Sequence, residues 1–378
     1  MEELARIRSS LQAEGKRVFD FGTGDPKIPV WENIRNEIQK SIPEISQYPS
    51  IKGSKPLVDS IWNYLGHRFS LSDNETLSIL PTNGSKEAIF HMGLSIVGRK
   101  DRKTIAYPSP GYPVYKSSTV FAGGIPYPVE LTEANGYLME PWNFPEEVKN
   151  DLAAIWINYP HNPTGTLAPE SYLRQLIEWC QENDTLLLSD ECYVDIYNES
   201  AEGESSLSKP LSVAQLASEN FISFLSLSKR SGLTGFRSGF MIGPKDLMQL
   251  ISKARANFGV STPGHIQAGA VIAWNDEGHV AERRKIFSER ISQAFAPLKD
   301  LGLIDEEPQA GFYLWCRVPA PYDGDDLKFC FALAEKGVIT SPSSWLGENC
   351  KGYVRFALVP DKADILESME IVKSTVNK

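Results

Sequence analysis

Between residues 76 and 244 the chain alternates short apolar, β-rich runs with longer helical stretches. The runs are TLSIL, TIAYP, PYPVEL, AAIWINYP, TLLLSDECY, FISFLSLS and SGFMIG. Strands that alternate with helices in this way build a mainly parallel sheet covered on both faces, so the pattern predicts an α/β fold. HIQAGAVIAW and the charged stretch 277–300 come next, and the second is long enough for a helix that bridges two domains. Beyond it the character changes. FYLWCRVP and GYVRFAL read as strands, while DDLKFCFALAEKG and about the last 15 residues read as helices, which predicts a smaller α+β unit. The polar segment 198–210, NESAEGESSLSKP, is expected to be an exposed loop.

Composition narrows the function classes. A chain of 378 residues exceeds the size at which one core usually stops growing, which agrees with two packed units. No apolar run approaches the roughly 20 residues that span a bilayer, so no membrane is expected as partner. The N-terminal stretch mixes both charge signs and lacks a signal-peptide core, and the default location is cytoplasmic. A net charge of −10 without a Lys/Arg cluster argues against nucleic acid. Five cysteines without a C-x-x-C pair read as reduced and structural, and five histidines without metal-ligand spacing imply no metal. No G-x-G-x-x-G follows a first strand, which weakens a nicotinamide dehydrogenase.

Several motifs carry candidate chemistry. After the strand FISFL comes Ser226-Leu-Ser228-Lys229, with Arg237 eight residues beyond the lysine. Small hydroxyls and an arginine beside a lysine suit an anion placed next to an amine that attacks an aldehyde. A solvated Lys-Arg pair in a Ser-rich turn is the plainer reading. Asn162, in NYPHNPTG, sits in a turn that points its amide over the sheet edge, where it can donate to a phenolate; the same motif is also simply a good turn. Asp190 ends an apolar strand, where a carboxylate is costly without a positive partner. A protonated pyridine nitrogen would supply one, and so would an arginine or a helix end. Gly84, Ser85 and Lys86 lie where a strand gives way to a helix, whose free N–H groups and dipole suit a phosphate or need only an N-cap. Tyr112, in PSPGYPVY, is placed to stack on a flat heterocycle or to pack in the core.

Together these motifs resemble, in order and spacing across nearly the whole chain, the class I/II, fold-type I aminotransferases that use pyridoxal 5′-phosphate (PLP). In that family the S-x-S-K-x(7)-R element carries the Schiff-base lysine and phosphate ligands. The resemblance implies that Lys229 holds the cofactor and that Ser226, Ser228, Arg237 and the amides of Ser85 and Lys86 bind phosphate. It further implies that Asp190 pairs with the pyridine nitrogen, Asn162 and Tyr193 bind the ring oxygen, and Tyr112 stacks on the ring. Arg355, in GYVRFAL, would grip the substrate α-carboxylate near Gly24 of FGTGDP. Tyr48, in YPSIKG, matches the tyrosine that reaches the neighbouring subunit's cofactor, so a homodimer with shared active sites is expected. The implied organisation is a large PLP-binding domain over 30–282 and a small domain from 1–29 and 283–378.

The segments around Lys229-Arg230-Ser231-Gly232, AWNDEGHVAERR and GFYLWCRVP look most like succinyldiaminopimelate aminotransferases. The implied reaction is ping-pong amino transfer between an amino acid and a 2-oxoacid, with N-succinyl-diaminopimelate and 2-oxoglutarate as the expected pair. Aminotransferases of other specificity and fold-type I carbon–sulfur lyases share the cofactor residues and remain open. A non-catalytic PLP-binding regulator would need an appended interaction module.

Overall fold

The computed structural model describes residues 2–74, 76–198 and 209–377. Most of the expected loop 198–210, residues 199–208, therefore lies outside the described residues.

A seven-stranded mixed sheet forms the centre, from Leu77–Thr82 (β1), Thr104–Ser109 (β2), Ile125–Glu130 (β3), Leu152–Asn158 (β4), Leu186–Asp190 (β5), Phe221–Ser226 (β6) and Gly239–Pro244 (β7). Its order is β1-β7-β6-β5-β4-β2-β3. Only β7 runs antiparallel to its neighbours; β6, β5, β4, β2 and β3 are mutually parallel. Every residue of β2, β4, β5 and β6 is buried, as expected of strands covered on both faces. The edge strand β3 is partly exposed and contains Pro126 and Pro128, which lack the N–H groups that would pair with another chain.

Helices cover both faces. Lys55–Phe69 (α1) packs on one side with Gly264–Asn275 (α3), and Ser85–Ile96 (α2) on the other. The expected long helix is Gly278–Asp300 (α4). A second core gathers Phe19, Phe21, Leu314, Phe329, Val354 and Phe356 around a three-stranded antiparallel sheet of Tyr313–Arg317 (β8), Ser341–Pro342 (β9) and Tyr353–Ala357 (β10). A two-residue parallel pair joins Phe19–Asp20 to Val338–Ile339, which brings the N-terminal segment onto this core. The helix Lys362–Val376 (α5) closes it against α4. Among the described residues no helix is long and apolar enough to cross a membrane.

The topology decides where chemistry can sit. Parallel strands end on one edge, and the carboxyl ends of β4, β5 and β6 deliver Asn158, Asp190 and Ser226 side by side there.

Candidate active site

A cavity of roughly 610 Å³ opens at that edge. It brings together Gly24, Ser85, Lys86, Tyr112, Asn162, Asp190, Tyr193, Ser228, Lys229, Arg237 and Arg355, residues drawn from all parts of the chain. Three expected positions stand apart. Gly84 caps α2 just behind the cavity. Ser226 is buried beneath it, with its hydroxyl donating to Ser228 Oγ (3.0 Å) and accepting from the Ser228 N–H (3.1 Å). It orients Ser228 instead of facing the cavity, because it is the N-cap of the one-turn helix Leu227–Arg230. Tyr48 lies fully exposed on the outside of the chain.

One end of the cavity suits an anion. The first turn of α2 presents unpaired backbone N–H groups at Ser85 and Lys86. Arg237 closes against it: a Cβ on Gly84, whose φ is +78°, would fall 2.4 Å from Arg237 Nη2, so only glycine lets the guanidinium in. Arg237 itself has φ +54° and donates to the Thr234 carbonyl (2.6 Å). Glu87 anchors the turn from behind by accepting from the Asn83 N–H (2.8 Å) and pairing bidentately with Arg255 (2.7 and 2.9 Å).

The centre suits a ring that carries a proton on nitrogen. Asp190 is buried, with Oδ2 accepting from the Tyr115 hydroxyl (2.8 Å) and Oδ1 from the Cys192 N–H (3.2 Å). Burial pushes its carboxyl above the usual range, against those hydrogen bonds and the attraction of Lys229. A buried carboxylate under that strain is matched by a cationic ring nitrogen. Lys229, partly buried, donates from Nζ to the Gly24 carbonyl. Asn158 braces the floor: Nδ2 donates to the Asp190 carbonyl (2.7 Å) and Oδ1 accepts the Asn162 N–H (3.0 Å).

The far end suits a carboxylate. Arg355 is 8% exposed, donates to Asn162 Oδ1 (3.0 Å), the Gly22 carbonyl (2.9 Å) and Ser341 Oγ (3.3 Å), and packs its guanidinium 4.6 Å over the Tyr313 ring. Its Nε is buried and has no partner among the described residues. The guanidinium nonetheless lines the cavity, where its planar fork suits an incoming carboxylate. The Tyr193 and Tyr313 hydroxyls meet at 2.8 Å, and burial pushes Tyr193 well above the ordinary phenol range. Gly24 is obligatory here, since a Cβ would fall 2.1 Å from the Tyr313 hydroxyl.

The sequence reading missed Tyr115, Asn158, Cys192, Tyr313 and the rim residues Thr23, Asp25 and Leu346. Tyr313 and Cys192 were absorbed into runs that read as plain strand or core, and no spacing marks them. Cys192 lines the cavity, whereas Cys180, Cys316 and Cys330 are buried.

The lysine, the buried carboxylate, the anion cup and the arginine that lines the far end together fit pyridoxal phosphate and an amino acid, and similarity points the same way. The profile of the family described as aminotransferase class I and II matches residues 16–371. The chain is 33% identical to the LL-diaminopimelate aminotransferase of Syntrophobacter fumaroxidans, over 98% of this chain and 94% of the relative. It superposes with a TM-score of 0.87 on an aminotransferase from Neisseria meningitidis, at 28% identity over 98% and 96% of the two chains. A probable N-succinyldiaminopimelate aminotransferase from Thermus thermophilus has the same fold, with a TM-score of 0.88 at 23% identity over 98% of both chains. The chain thus belongs to the class I and II aminotransferases, and is a PLP-dependent enzyme that exchanges amino groups between amino acids and 2-oxoacids.

Proposed function

We propose that this aminotransferase takes LL-diaminopimelate as amino donor and 2-oxoglutarate as acceptor, in a homodimer whose subunits share their active sites. The observation that carries the substrate reading is the rim of the cavity. Beyond the groups that suit a cofactor, it presents one acid, Asp25, and one base, Lys86, both exposed. The distal end of diaminopimelate is itself a zwitterion, with an ammonium for Asp25 and a carboxylate for Lys86. An N-succinylated distal end carries carboxylates and no ammonium, and Asp25 would repel it. This reading replaces the expected N-succinyl derivative, and the name of the Syntrophobacter relative supports it.

Bound PLP supplies an aldehyde that condenses with amines and a pyridine ring that draws electrons from Cα. The chain supplies the rest. Ser85 and Lys86 amides, Ser228 and Arg237 hold the phosphate, with the partner's Tyr48 completing the cup. Asp190 keeps the proton on the ring nitrogen. Asn162 and Tyr193 donate to the ring oxygen, and Tyr112 stacks on the ring. Arg355 grips the α-carboxylate, which places Cα within reach of Lys229. Nζ of Lys229 would hold the cofactor through its aldehyde and, as a free amine, would take up and return the proton of the substrate Cα. Residues 30–282 form the cofactor-binding domain, and 1–29 with 283–378 the smaller one that carries Arg355. Ile42 and Ile45, exposed on the segment leading to Tyr48, give the second subunit an apolar surface to cover.

The test compares kcat/KM for LL-diaminopimelate, its N-succinyl derivative, aspartate and alanine, all with 2-oxoglutarate. LL-diaminopimelate should exceed the succinyl derivative by at least about tenfold. Alanine as the best donor would overturn the substrate reading. Light scattering should show a dimer, and a fully active monomer would exclude shared sites.

A further inference from the structure

The one-turn helix that carries Lys229 has four residues, too few to hold a conformation alone, so tertiary contacts must fix it. The three residues after the lysine are tied in succession to the start of α4. Arg230 is 1% exposed and donates to Asp195 Oδ2 (2.9 Å), the Glu277 carboxylate (2.6 Å) and the Asp276 carbonyl (3.2 Å). Its guanidinium packs against the neighbouring rings of Tyr64 (4.6 Å) and Trp274 (5.6 Å). Asp195 is held in turn by the Tyr64 hydroxyl (2.8 Å) and Arg68 Nε (3.1 Å). Ser231 Oγ stands 2.8 Å from His279 Nε2, and His279 Nδ1 stands 2.6 Å from Asp276 Oδ1. Gly232 has φ +71°, and a Cβ there would fall 2.8 Å from Arg283 Nη1, so the chain presses directly on α4.

None of these side chains lines the cavity. A buried ion pair is poor value as stability alone, because well-packed apolar residues often replace one without loss. Its placement one residue from Lys229 points to geometry instead. We propose that Arg230 is a positioning residue for Lys229: with Ser231 and Gly232 it clamps the lysine's backbone against the start of α4 and thereby sets where Nζ stands in the cavity. The proposal rests on the reading that Lys229 carries the cofactor. A lysine Nζ is five bonds from its Cα, so a small backbone shift moves it off line, and a misplacement of about 1 Å costs up to roughly 100-fold in rate.

The experiment adds PLP to apoenzyme and follows attachment at Lys229 by borohydride trapping and peptide mass mapping. A parallel unreduced sample gives KM, and its kcat is divided by the number of sites counted by trapping. Arg230→Met should slow attachment and lower kcat per trapped site by about tenfold or more, with KM for the amino acid changed less than about threefold. Arg230→Lys should recover part of both, and Ser231→Ala should lower kcat by a few fold. If Arg230→Met does not fold, Arg230→Gln, which keeps a hydrogen-bonding head in the buried site, takes its place. Unchanged attachment and kcat per trapped site in the folded Arg230 variant overturn the clamp, as does a loss of total activity that only follows the folded fraction. Lys229→Ala separates the two layers: cofactor still trapped on another lysine overturns the reading beneath, whereas normal loss of trapping with a silent Arg230→Met overturns the clamp alone.

Discussion

The inner wall and the outer rim of the cavity are built differently. Asp190, Asn162, Tyr193 and Arg355 on the inner wall are all buried and all hydrogen-bonded to another group that lines the cavity. On the rim, Thr23, Asp25 and Lys86 are exposed. Strand ends in a packed sheet hold their side chains within narrow limits, which is what stabilising a developing charge requires. Exposed rim residues can change with little cost to the fold, which is what specificity requires. On the proposed function, the chemistry of the family sits where packing is tight, and the choice of amino acid where it is loose.

The harshest break falls on the inner wall. Lys229→Ala should lower the turnover of amino donor by about four orders of magnitude, since a positioned acid–base group contributes up to that much. A steady-state assay coupled to glutamate formation reads it, and a variant within tenfold of the parent enzyme would remove Lys229 from the mechanism. Asp190→Asn comes next. An amide is neutral and cannot stabilise a protonated ring nitrogen, so turnover should fall by about 100-fold while cofactor stays bound. A loss below about tenfold, or roughly 1.4 kcal/mol of barrier, argues against this role.

The inner wall also has a titration signature. His161, in the turn that carries Asn162, is buried and bonded to the Pro110 carbonyl (3.1 Å) and Thr164 Oγ1 (2.8 Å). Burial lowers its imidazole to about 4. The neutral form is therefore favoured in the fold, and its contribution is present above the unfolded value of about 6.5 and lost as pH falls toward 4. Between pH 7 and 5 the unfolded chain gains a proton that the folded chain refuses, which removes about 2 kcal/mol of stability. Urea unfolding at the two pH values measures it, and His161→Asn should flatten that part of the profile. An unchanged slope would mean that the histidine reaches water in the folded state.

The same contrast explains what could be read from the chain. The parallel sheet was legible because buried strands write apolar runs, and the long helix appeared at 278–300 against an expected 277–300. Lys229, Asp190 and Asn162 stood out because each closes or follows such a run with a polar group out of place, and Arg355 through the resemblance of its segment to the family; all four line the cavity. Tyr115 and Tyr313 were not, since an aromatic in an apolar run reads as core, and only the fold turns their hydroxyls toward Asp190 and Tyr193. Asp25 and Leu346 carry no local signal, and the place of Lys86 at a helix start does not tell that it shares their opening. Their meaning comes from three distant segments meeting at one opening.

The smallest expected effect lies on that rim. Asp25→Asn removes a negative charge that no buried network depends on, so melting temperature and cofactor content should stay at parent values. Exposed charges interact weakly, at about 1 kcal/mol or less, because water and salt screen them. The change in kcat/KM for LL-diaminopimelate should accordingly be a loss of only about three- to fivefold. For the N-succinyl derivative the same substitution removes a repulsion, so its kcat/KM should rise. The ratio of the two donors therefore moves by more than either value, and raising salt should shrink that shift. Parallel losses for both donors would show that Asp25 shapes the opening without reading the charge of what enters it.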